Sequence, residues 1–327
     1  MPELNYVSAV NAALHRAMDE FPEAIAFGED FAIPGGVFTA SKGLRDRFGE
    51  RVFDTPISEA AILGGAIGAA VRGRRPIVEI MWVDFFLVAL DQIVNQAANV
   101  RYVSQGELTA PLTVRTQQGV LAGSCAQHSQ SLEAIFAHVP GLIVGLPATP
   151  QDAYDMLLSA IAADDPAVVI EHRSLYFGPR APVSVDGPIE PVGGARVRRA
   201  GEDVTLVTWG AMLGAAVSAA EQLADEGVSV ELIDARWLAP FDTATVTASV
   251  EKTGRLVIAH EANVSGGFGA EVAARIANEA LWSLEAPIVR VGLPDSRIPA
   301  APVLQRALVP GAEQIAAALR ETVAVPA

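Results

Sequence analysis

The sequence predicts an α/β protein made of two doubly wound domains, and two observations support this prediction. Short apolar runs alternate with helical stretches along the chain, as expected when parallel strands form a sheet that helices cover on both faces. The alternation is interrupted at 178–200 by a Pro- and Gly-rich stretch without a regular period. We therefore expect a first domain at 1–180, a linker at 181–200 and a second domain at 201–327.

The individual elements follow from local patterns. In the first domain, apolar runs predict strands at 24–30, 75–82, 110–116, 142–148 and 167–172, and helical spacing predicts helices at 58–72, 84–103 and 150–163. The last of these helices has clear ends, because Thr149 suits the N-cap, Pro150 suits the first helical position and Asp165-Pro166 ends the pattern. In the second domain, strands are expected at 203–210, 228–236, 253–262 and 286–294, with a helix that stops at Gly227.

Composition excludes several classes of function. The chain has 327 residues, of which 51% are hydrophobic and 19% charged, a globular composition. A formal charge of −15 argues against binding to nucleic acid, which requires Lys and Arg along the phosphates. No apolar run approaches the ~18 residues of a membrane span, and the first twenty residues read as an amphipathic helix rather than a signal peptide. We expect a cytoplasmic protein without a disulfide, since Cys125 is the only cysteine.

Three local motifs leave alternatives open when each is taken alone. GGFGAEV (266–272) has Val272 where a dinucleotide fingerprint needs its third glycine, so a tightly packed helix start is favoured over NAD binding. GGAIG (64–68) is typical of close helix packing. His128 lies in the polar loop GSCAQHSQSLEA (123–134), where an imidazole is either a general acid or base, or simply solvated. The chain contains no Walker A motif and no G-x-S-x-G nucleophile elbow.

Longer segments resemble one family along nearly the whole chain. The first domain carries FGED (27–30), KGLRDRFGERVFDTPISEAAILGGAIGAA (42–70), DQIVNQAANVRY (91–102), HSQSLEAIFAHVPGL (128–142) and DDPAVVIEHRSLY (164–176). The second carries DVTLVTWGAM, VELIDARWLAPFD and TGRLVIAHEANVSGGFGAEVAARI. In order and spacing, these segments resemble the beta subunits of the thiamine-diphosphate-dependent 2-oxo acid dehydrogenases, which act on pyruvate, branched-chain 2-oxo acids or acetoin.

The resemblance implies a fold and a cofactor site. It implies a transketolase-like pyrimidine-binding domain followed by a transketolase C-terminal domain. Glu59 matches the glutamate that hydrogen-bonds N1′ of the cofactor's aminopyrimidine, Phe85 matches the aromatic residue that packs on this ring, and Ile57 would line the same pocket. A desolvated carboxylate that shares the N1′ proton stabilises the imino tautomer, which removes the C2 proton of the thiazolium.

Other roles also come from the resemblance. His128 matches a loop histidine that assists transfer of the acyl group to a lipoyl group, although Gln127 stands where the family usually has tyrosine. The family often binds potassium through backbone carbonyl groups. The matching residues here are Leu112, Ala160, Ile161, Ala163 and Asp165.

One expected part of the cofactor site is missing from the sequence. The family's diphosphate-binding half carries G-D-G and, further along, N-N, which hold magnesium and the phosphates, and this chain has no G-D-G. The resemblance therefore implies an alpha subunit that holds the diphosphate and magnesium in an α2β2 heterotetramer, active only when both chains are present. It further implies an oxidoreductase that decarboxylates a 2-oxo acid, with pyruvate the leading candidate, and passes the acyl group to a lipoyl-bearing acyltransferase.

Three rival functions remain on sequence grounds. The same fold could act on acetoin or transfer a two-carbon unit as transketolase does, since 117–127 and DSRIPAAPV (295–303) depart from the family pattern. The chain could be a scaffolding subunit without catalysis, although an intact Glu59 argues against this. An NAD-binding subunit would depend on GGFG alone.

Overall fold

The computed structural model describes residues 1–326 and divides the chain into two compact units. The first unit contains residues 1–118 and 135–192, and the second contains residues 119–134 and those from 193 onward. The sequence alone assigns 119–134 to the first domain. In the structure this segment packs with the second unit, because side chains from that unit hydrogen-bond to it.

The first unit is built around a parallel sheet. Its strands are β1 (Glu3–Leu4), β2 (Ala24–Gly28), β3 (Val52–Asp54), β4 (Arg75–Ile80), β5 (Thr113–Gln118), β6 (Ile143–Gly145), β7 (Ala167–His172) and β8 (Ala181–Pro182). Its helices are α1 (Tyr6–Glu20), α2 (Leu44–Phe48), α3 (Glu59–Val71), α4 (Val83–Phe86), α5 (Val100–Val103), α6 (Glu133–Ala137), which begins in the second unit, and α7 (Pro150–Ala162). Six strands pair in the order β6-β7-β5-β4-β2-β3, all parallel, while β1 and β8 form a separate antiparallel pair.

The second unit repeats the doubly wound plan. Its strands are β9 (Arg196–Arg199), β10 (Val204–Thr208), β11 (Val230–Asp234), β12 (Trp237–Ala239), β13 (Leu256–Asn263) and β14 (Val289–Leu293). Its helices are α8 (Met212–Asp225), α9 (Thr243–Thr253), α10 (Phe268–Glu279), α11 (Pro302–Leu308) and α12 (Ala312–Val323). Its sheet has the order β14-β13-β10-β11-β9, and only β9 is antiparallel to its neighbour.

Local capping explains why several helices begin and end where the sequence predicts. The Thr149 hydroxyl accepts a hydrogen bond from the Asp152 amide at 3.1 Å, and Pro150 opens α7. Helix α8 ends just before Gly227, which adopts a positive φ of 83°. Glycine takes this left-handed conformation without steric strain, so it suits the turn that follows a helix.

The single helix expected at 84–103 is wrong. The segment is a series of short helical turns that includes one π turn at Gln92–Gln96. Amide side chains compete for the backbone here, since Asn99 Nδ2 donates to the carbonyl oxygens of Val94 and Asn95 at 3.2 Å each. The periodic pattern of apolar residues does not reveal this competition.

Five strands (β1, β3, β8, β9 and β12) escape prediction because each has only two to four residues. β3 has three residues, and the charged strand β9 lies at the sheet edge within the stretch expected to be a linker. Charged side chains are common on edge strands, where they discourage pairing with other chains. Among residues 1–326, no helix is both long and apolar enough to cross a bilayer.

The glycines of GGFG serve the packing of a buried histidine. A Cβ atom at Gly269 would lie 2.6 Å from the His260 ring, and one at Gly267 would lie 2.8 Å from it. The other side of the ring stacks on Trp209, with the ring centroids 5.3 Å apart. This arrangement confirms the tightly packed helix start expected from the sequence.

Burial makes His260 sensitive to acid. Desolvation lowers the pKa of its imidazole from about 6.5 to about 4, and the positive charge of Arg290 adds to this effect. Between these two pH values the unfolded chain binds a proton that the folded chain does not bind. The contribution of His260 to stability is therefore lost as the pH falls from about 6.5 to about 4, and the loss reaches roughly 3 kcal/mol.

We predict that His260→Gln flattens the dependence of stability on pH in this range. The free energy of unfolding would be measured by urea denaturation at intervals from pH 4 to pH 7. The same substitution at the exposed His138 provides the control and should leave the slope unchanged. Equal slopes for wild type and His260→Gln would contradict the prediction.

Candidate active site

The carboxyl edge of the first sheet gathers the polar and aromatic residues predicted for a cofactor site. Parallel strands bring their carboxyl ends to one edge of a sheet, where ligands bind in open α/β folds. Five strands contribute residues to this edge: Glu29 and Asp30 after β2, Ile57 and Glu59 after β3, Trp82 and Phe85 after β4, Gln118 at the end of β5, and Arg173 after β7.

Glu59 opens helix α3 and lies within a group of carboxylates. It is the first residue of the helix and is half-buried. Its neighbour Glu29 has a raised pKa because of partial burial and because the negative charges of Asp30 and Glu59 lie close by. Three mutually repelling carboxyl groups favour a ligand that brings a proton or a positive charge.

The glycines after Glu59 are not required for packing inside this chain. A Cβ atom at Gly65 or Gly68 would meet no atom within 4 Å, and one at Gly64 would only touch Gln92 at 3.9 Å. All three lie on the exposed face of α3. Glycine destabilises a helix interior by roughly 0.5–1 kcal/mol relative to alanine, and no contact within the chain offsets this.

Aromatic and cationic side chains follow β4 and β7 at the same edge of the sheet. The rings of Trp82 and Phe85 meet edge to face, with centroids 6.4 Å apart, and Phe85 is half-buried. The Arg173 guanidinium lies over the Trp82 ring, and burial lowers its pKa to about 10 despite the charge of Asp84. Ile57 is 74% exposed. Trp82 and Arg173 were not predicted as site residues from the sequence. Their positions just after strands β4 and β7 are the signal that could have identified them.

His128 lies in the segment that packs with the second unit. Its amide donates to the Cys125 carbonyl oxygen at 3.0 Å, and Nδ1 lies 4.0 Å from the Cys125 sulfur. The imidazole is half-buried. The structure thus places Glu59, Ile57 and Phe85 at one edge of the first unit, and places His128 in a loop of the second.

The carbonyl groups expected to bind potassium are largely engaged within the chain. Arg75 Nη1 donates to the carbonyl oxygens of Ile161 and Ala163, both at 2.7 Å. The Leu112 oxygen accepts from the Ala167 amide at 2.8 Å, and the Ala160 oxygen accepts from the Ala163 amide at 3.3 Å.

The Arg75 guanidinium is itself fixed in this position. Nη2 lies 3.1 Å from an Asp164 carboxylate oxygen, and Nε lies 3.4 Å from Glu23. A monovalent cation beside this guanidinium would be repelled. The guanidinium therefore disfavours a potassium ion at the carbonyl groups of Ile161 and Ala163. Within the described residues no group of three or more His, Cys, Asp or Glu side chains is arranged to hold a metal.

Comparison with known proteins identifies the family. A model of the transketolase pyrimidine-binding domain matches residues 2–179, and a model of the transketolase C-terminal domain matches residues 193–315. The pyruvate dehydrogenase E1 component subunit beta of Staphylococcus epidermidis is 43% identical over 300 residues, which span 91% of this chain and 92% of that protein. This chain belongs to the family of 2-oxo acid dehydrogenase beta subunits.

Further relatives agree with this assignment. The beta subunit of acetoin:2,6-dichlorophenolindophenol oxidoreductase from Cupriavidus necator is 41% identical over 330 residues, covering 98% of this chain and 97% of that protein. A solved split-gene transketolase, an inactive β4 tetramer, superposes with a TM-score of 0.81 over 99% of both chains. Because the identity to this transketolase is 24%, the similarity supports the fold alone.

The family is one of thiamine-diphosphate-dependent oxidoreductases, and the carboxyl edge fits part of this cofactor. Its cluster of carboxyl groups suits the protonated N1′ of an aminopyrimidine, and its aromatic residues suit a planar ring. Neither property accounts for a diphosphate, which requires cationic side chains, a metal or backbone N–H donors.

We predict that this beta subunit is insensitive to potassium and depends on Arg75 instead. Arg75→Met removes the donor that Ile161 and Ala163 share, and should lower the free energy of unfolding by about 1–3 kcal/mol. Replacing sodium with potassium should leave the melting temperature of the wild type unchanged. Arg74→Met, at the exposed neighbouring position, is the matched control. A saturable rise in melting temperature with potassium would contradict the prediction.

Proposed function

We propose that this beta subunit acts in a complex that decarboxylates a 2-oxo acid with thiamine diphosphate and transfers the acyl group to a lipoyl carrier. Pyruvate is the leading candidate donor. The observation that carries the proposal is the position of Glu59, which begins α3 beside Glu29 and Asp30 at the carboxyl edge of the sheet. When bound, the cofactor supplies a nucleophilic carbon and an electron sink for decarboxylation.

Glu59 has the role of holding a proton at N1′ of the pyrimidine ring. Glu29 and Asp30 place further negative charge beside Glu59, so a ring nitrogen that brings a proton is favoured at this position. With that proton held by Glu59, the bound cofactor would supply its own base for activating the thiazolium carbon. Phe85 would pack on the ring, and Ile57 would line the pocket. Both would fix the orientation of the ring relative to the Glu59 carboxylate.

His128 has the role of assisting acyl transfer. The acyl group is oxidised from the aldehyde level to a thioester while two electrons open the lipoyl disulfide. One sulfur becomes bonded to the acyl carbon, and the other leaves as a thiolate that needs a proton. The half-buried imidazole of His128, in a polar loop, is a suitable group to donate this proton.

Exposed apolar surface near the site supports an alpha subunit as partner. Ile57 is 74% exposed and Val88 is 67% exposed, and the glycine face of α3 is also open. Such surface is typical of a face that another chain covers. We propose that this partner holds the diphosphate and magnesium, that the assembly is an α2β2 heterotetramer, and that a lipoyl-bearing acyltransferase receives the product.

Acetoin is a second candidate donor, favoured by the end of strand β5. Gln118 is 4% exposed, and its buried Oε1 has no hydrogen-bond partner among residues 1–326. A buried amide oxygen without a donor is unfavourable by about 1–3 kcal/mol, and a donor substrate with a hydroxyl group would satisfy it. Turnover of the reconstituted complex with pyruvate, branched 2-oxo acids, acetoin and ketose phosphates distinguishes these candidates and the transketolase-like alternative.

We predict that Glu59→Gln and Glu59→Ala reduce turnover of the reconstituted complex at least about 100-fold, because the N1′ proton is no longer shared with a carboxylate. Steady-state assays at saturating cofactor would measure this, with circular dichroism to confirm folding. The control is Glu50→Gln, which changes an exposed glutamate in the short helical turn Gly49–Arg51 of the first unit. Unchanged turnover in Glu59→Ala would favour a scaffolding subunit.

We predict that Gly68→Ala has opposite effects on the chain and on the complex. The isolated chain should gain about 0.5–1 kcal/mol of stability, because alanine favours the helix and its methyl group meets open space. Association with the alpha subunit should weaken, because the methyl group prevents close approach. Gly214→Ala, at an exposed position of α8, is the matched control and should stabilise the chain without affecting association. Undiminished affinity of Gly68→Ala for the partner would contradict the proposed interface.

A further inference from the structure

We infer that Gln305 is a positioning residue for His128. Its side-chain amide holds the middle of the loop 119–130 in the conformation that presents the imidazole. This inference rests on the proposed function of His128 in acyl transfer, and it adds a residue that no motif in the sequence indicates.

The contact between Gln305 and the loop is buried and direct. Gln305 lies on α11 and is 4% exposed. Its Nε2 donates to the Ser124 carbonyl oxygen at 2.6 Å and to the Leu121 carbonyl oxygen at 3.3 Å. One side-chain amide group thus serves both ends of the turn 121–124.

The turn is coupled to His128 by short-range hydrogen bonds. The Ser124 amide donates to the Leu121 carbonyl oxygen at 2.9 Å, and the Leu121 amide donates to Ser124 Oγ at 3.0 Å. Ser124 Oγ also lies 2.5 Å from the hydroxyl oxygen of the buried Ser129, the residue directly after His128. Moving the turn therefore moves the residues on both sides of the imidazole.

Other side chains fix the two ends of the loop. Glu261 accepts from the Val120 amide at 2.6 Å, and Arg297 donates to Gln130 Oε1 at 2.7 Å. Between these two anchors, the loop contains the exposed residues Ala122 and Gly123. Gln305 meets the backbone on both sides of this exposed pair, so its loss would free the part of the loop that leads into His128.

The chemistry of the contact requires an amide rather than an acid. Both contacts of Gln305 are to carbonyl oxygens, and its NH₂ group supplies two donors. Gln305→Glu preserves the shape of the side chain but places a carboxylate oxygen, an acceptor, against the two carbonyl oxygens. Gln305→Met preserves the volume of the side chain but removes the donor that both carbonyl oxygens share. Both variants retain the packing of α11, so they separate positioning from bulk.

The first test measures the loop in this chain alone. Hydrogen–deuterium exchange of peptides covering 119–134 should be at least about tenfold faster in Gln305→Glu and Gln305→Met, with the other peptides unchanged. The control is Gln314→Glu, because the side chain of Gln314 acts as an acceptor for the Gly311 amide and a carboxylate can replace it. Unchanged exchange at 119–134 in both Gln305 variants overturns the inference.

The second test separates two steps in the complex reconstituted with the alpha subunit. With 2,6-dichlorophenolindophenol as electron acceptor, donor oxidation requires no lipoyl group, so the kcat of both Gln305 variants should stay within about twofold of the wild type. With a lipoyl domain as acceptor, the kcat should fall at least about tenfold, as for a misplaced proton donor. Gln314→Glu should show neither change.

The outcomes distinguish this inference from the proposed function. Equal losses with the dye and with the lipoyl domain would overturn the positioning role, since they indicate a general defect. A wild-type complex inactive with every donor would refute the proposed function, and with it a role for Gln305 in acyl transfer. The exchange experiment would still decide whether Gln305 holds the loop.

Discussion

The first unit depends on one buried guanidinium that joins three neighbouring strands. Arg115 on β5 makes a two-pronged contact with Glu171 on β7, at 2.7 and 2.9 Å, and binds Glu79 on β4 at 2.6 Å. Although burial disfavours the charged form, these carboxylates hold the pKa of Arg115 well above its usual value. Removing one partner of such a buried pair costs about 3–5 kcal/mol, because the remaining charge is left uncompensated.

This cluster lies just below the carboxyl edge that carries the proposed active site. Tyr176 donates a hydrogen bond to Glu171 and stacks on Tyr6 of the first helix, so the charged group is closed off by aromatic rings. Beyond the cluster, β4 leads to Trp82 and Phe85, and β7 leads to Arg173. The ion cluster holds the strand ends in register, and the residues that follow them inherit fixed positions.

The proposed site has features that are unfavourable for the stability of this chain alone. Glu59 lies beside other carboxylates, a helix of low bulk follows it, and Ile57 is largely exposed. Each feature is unfavourable for a chain in isolation and favourable if a positively charged cofactor and a second polypeptide complete the site. The loop of His128 depends for its conformation on side chains from α11 and β13 of the same chain.

The sequence by itself determined the strand–helix alternation, the ends of helix α7 and the family, because these depend on local periodicity, capping residues and long ordered motifs. It also identified Glu59 and His128 through resemblance, and these assignments await the experiments above. Only the tertiary structure decided that 119–134 packs with the second unit and that the expected helix at 84–103 breaks into short turns. It also decided that Arg75 binds two of the five carbonyl oxygens expected for potassium, those of Ile161 and Ala163. These features arise from contacts between residues far apart in the chain, which periodicity and spacing do not encode.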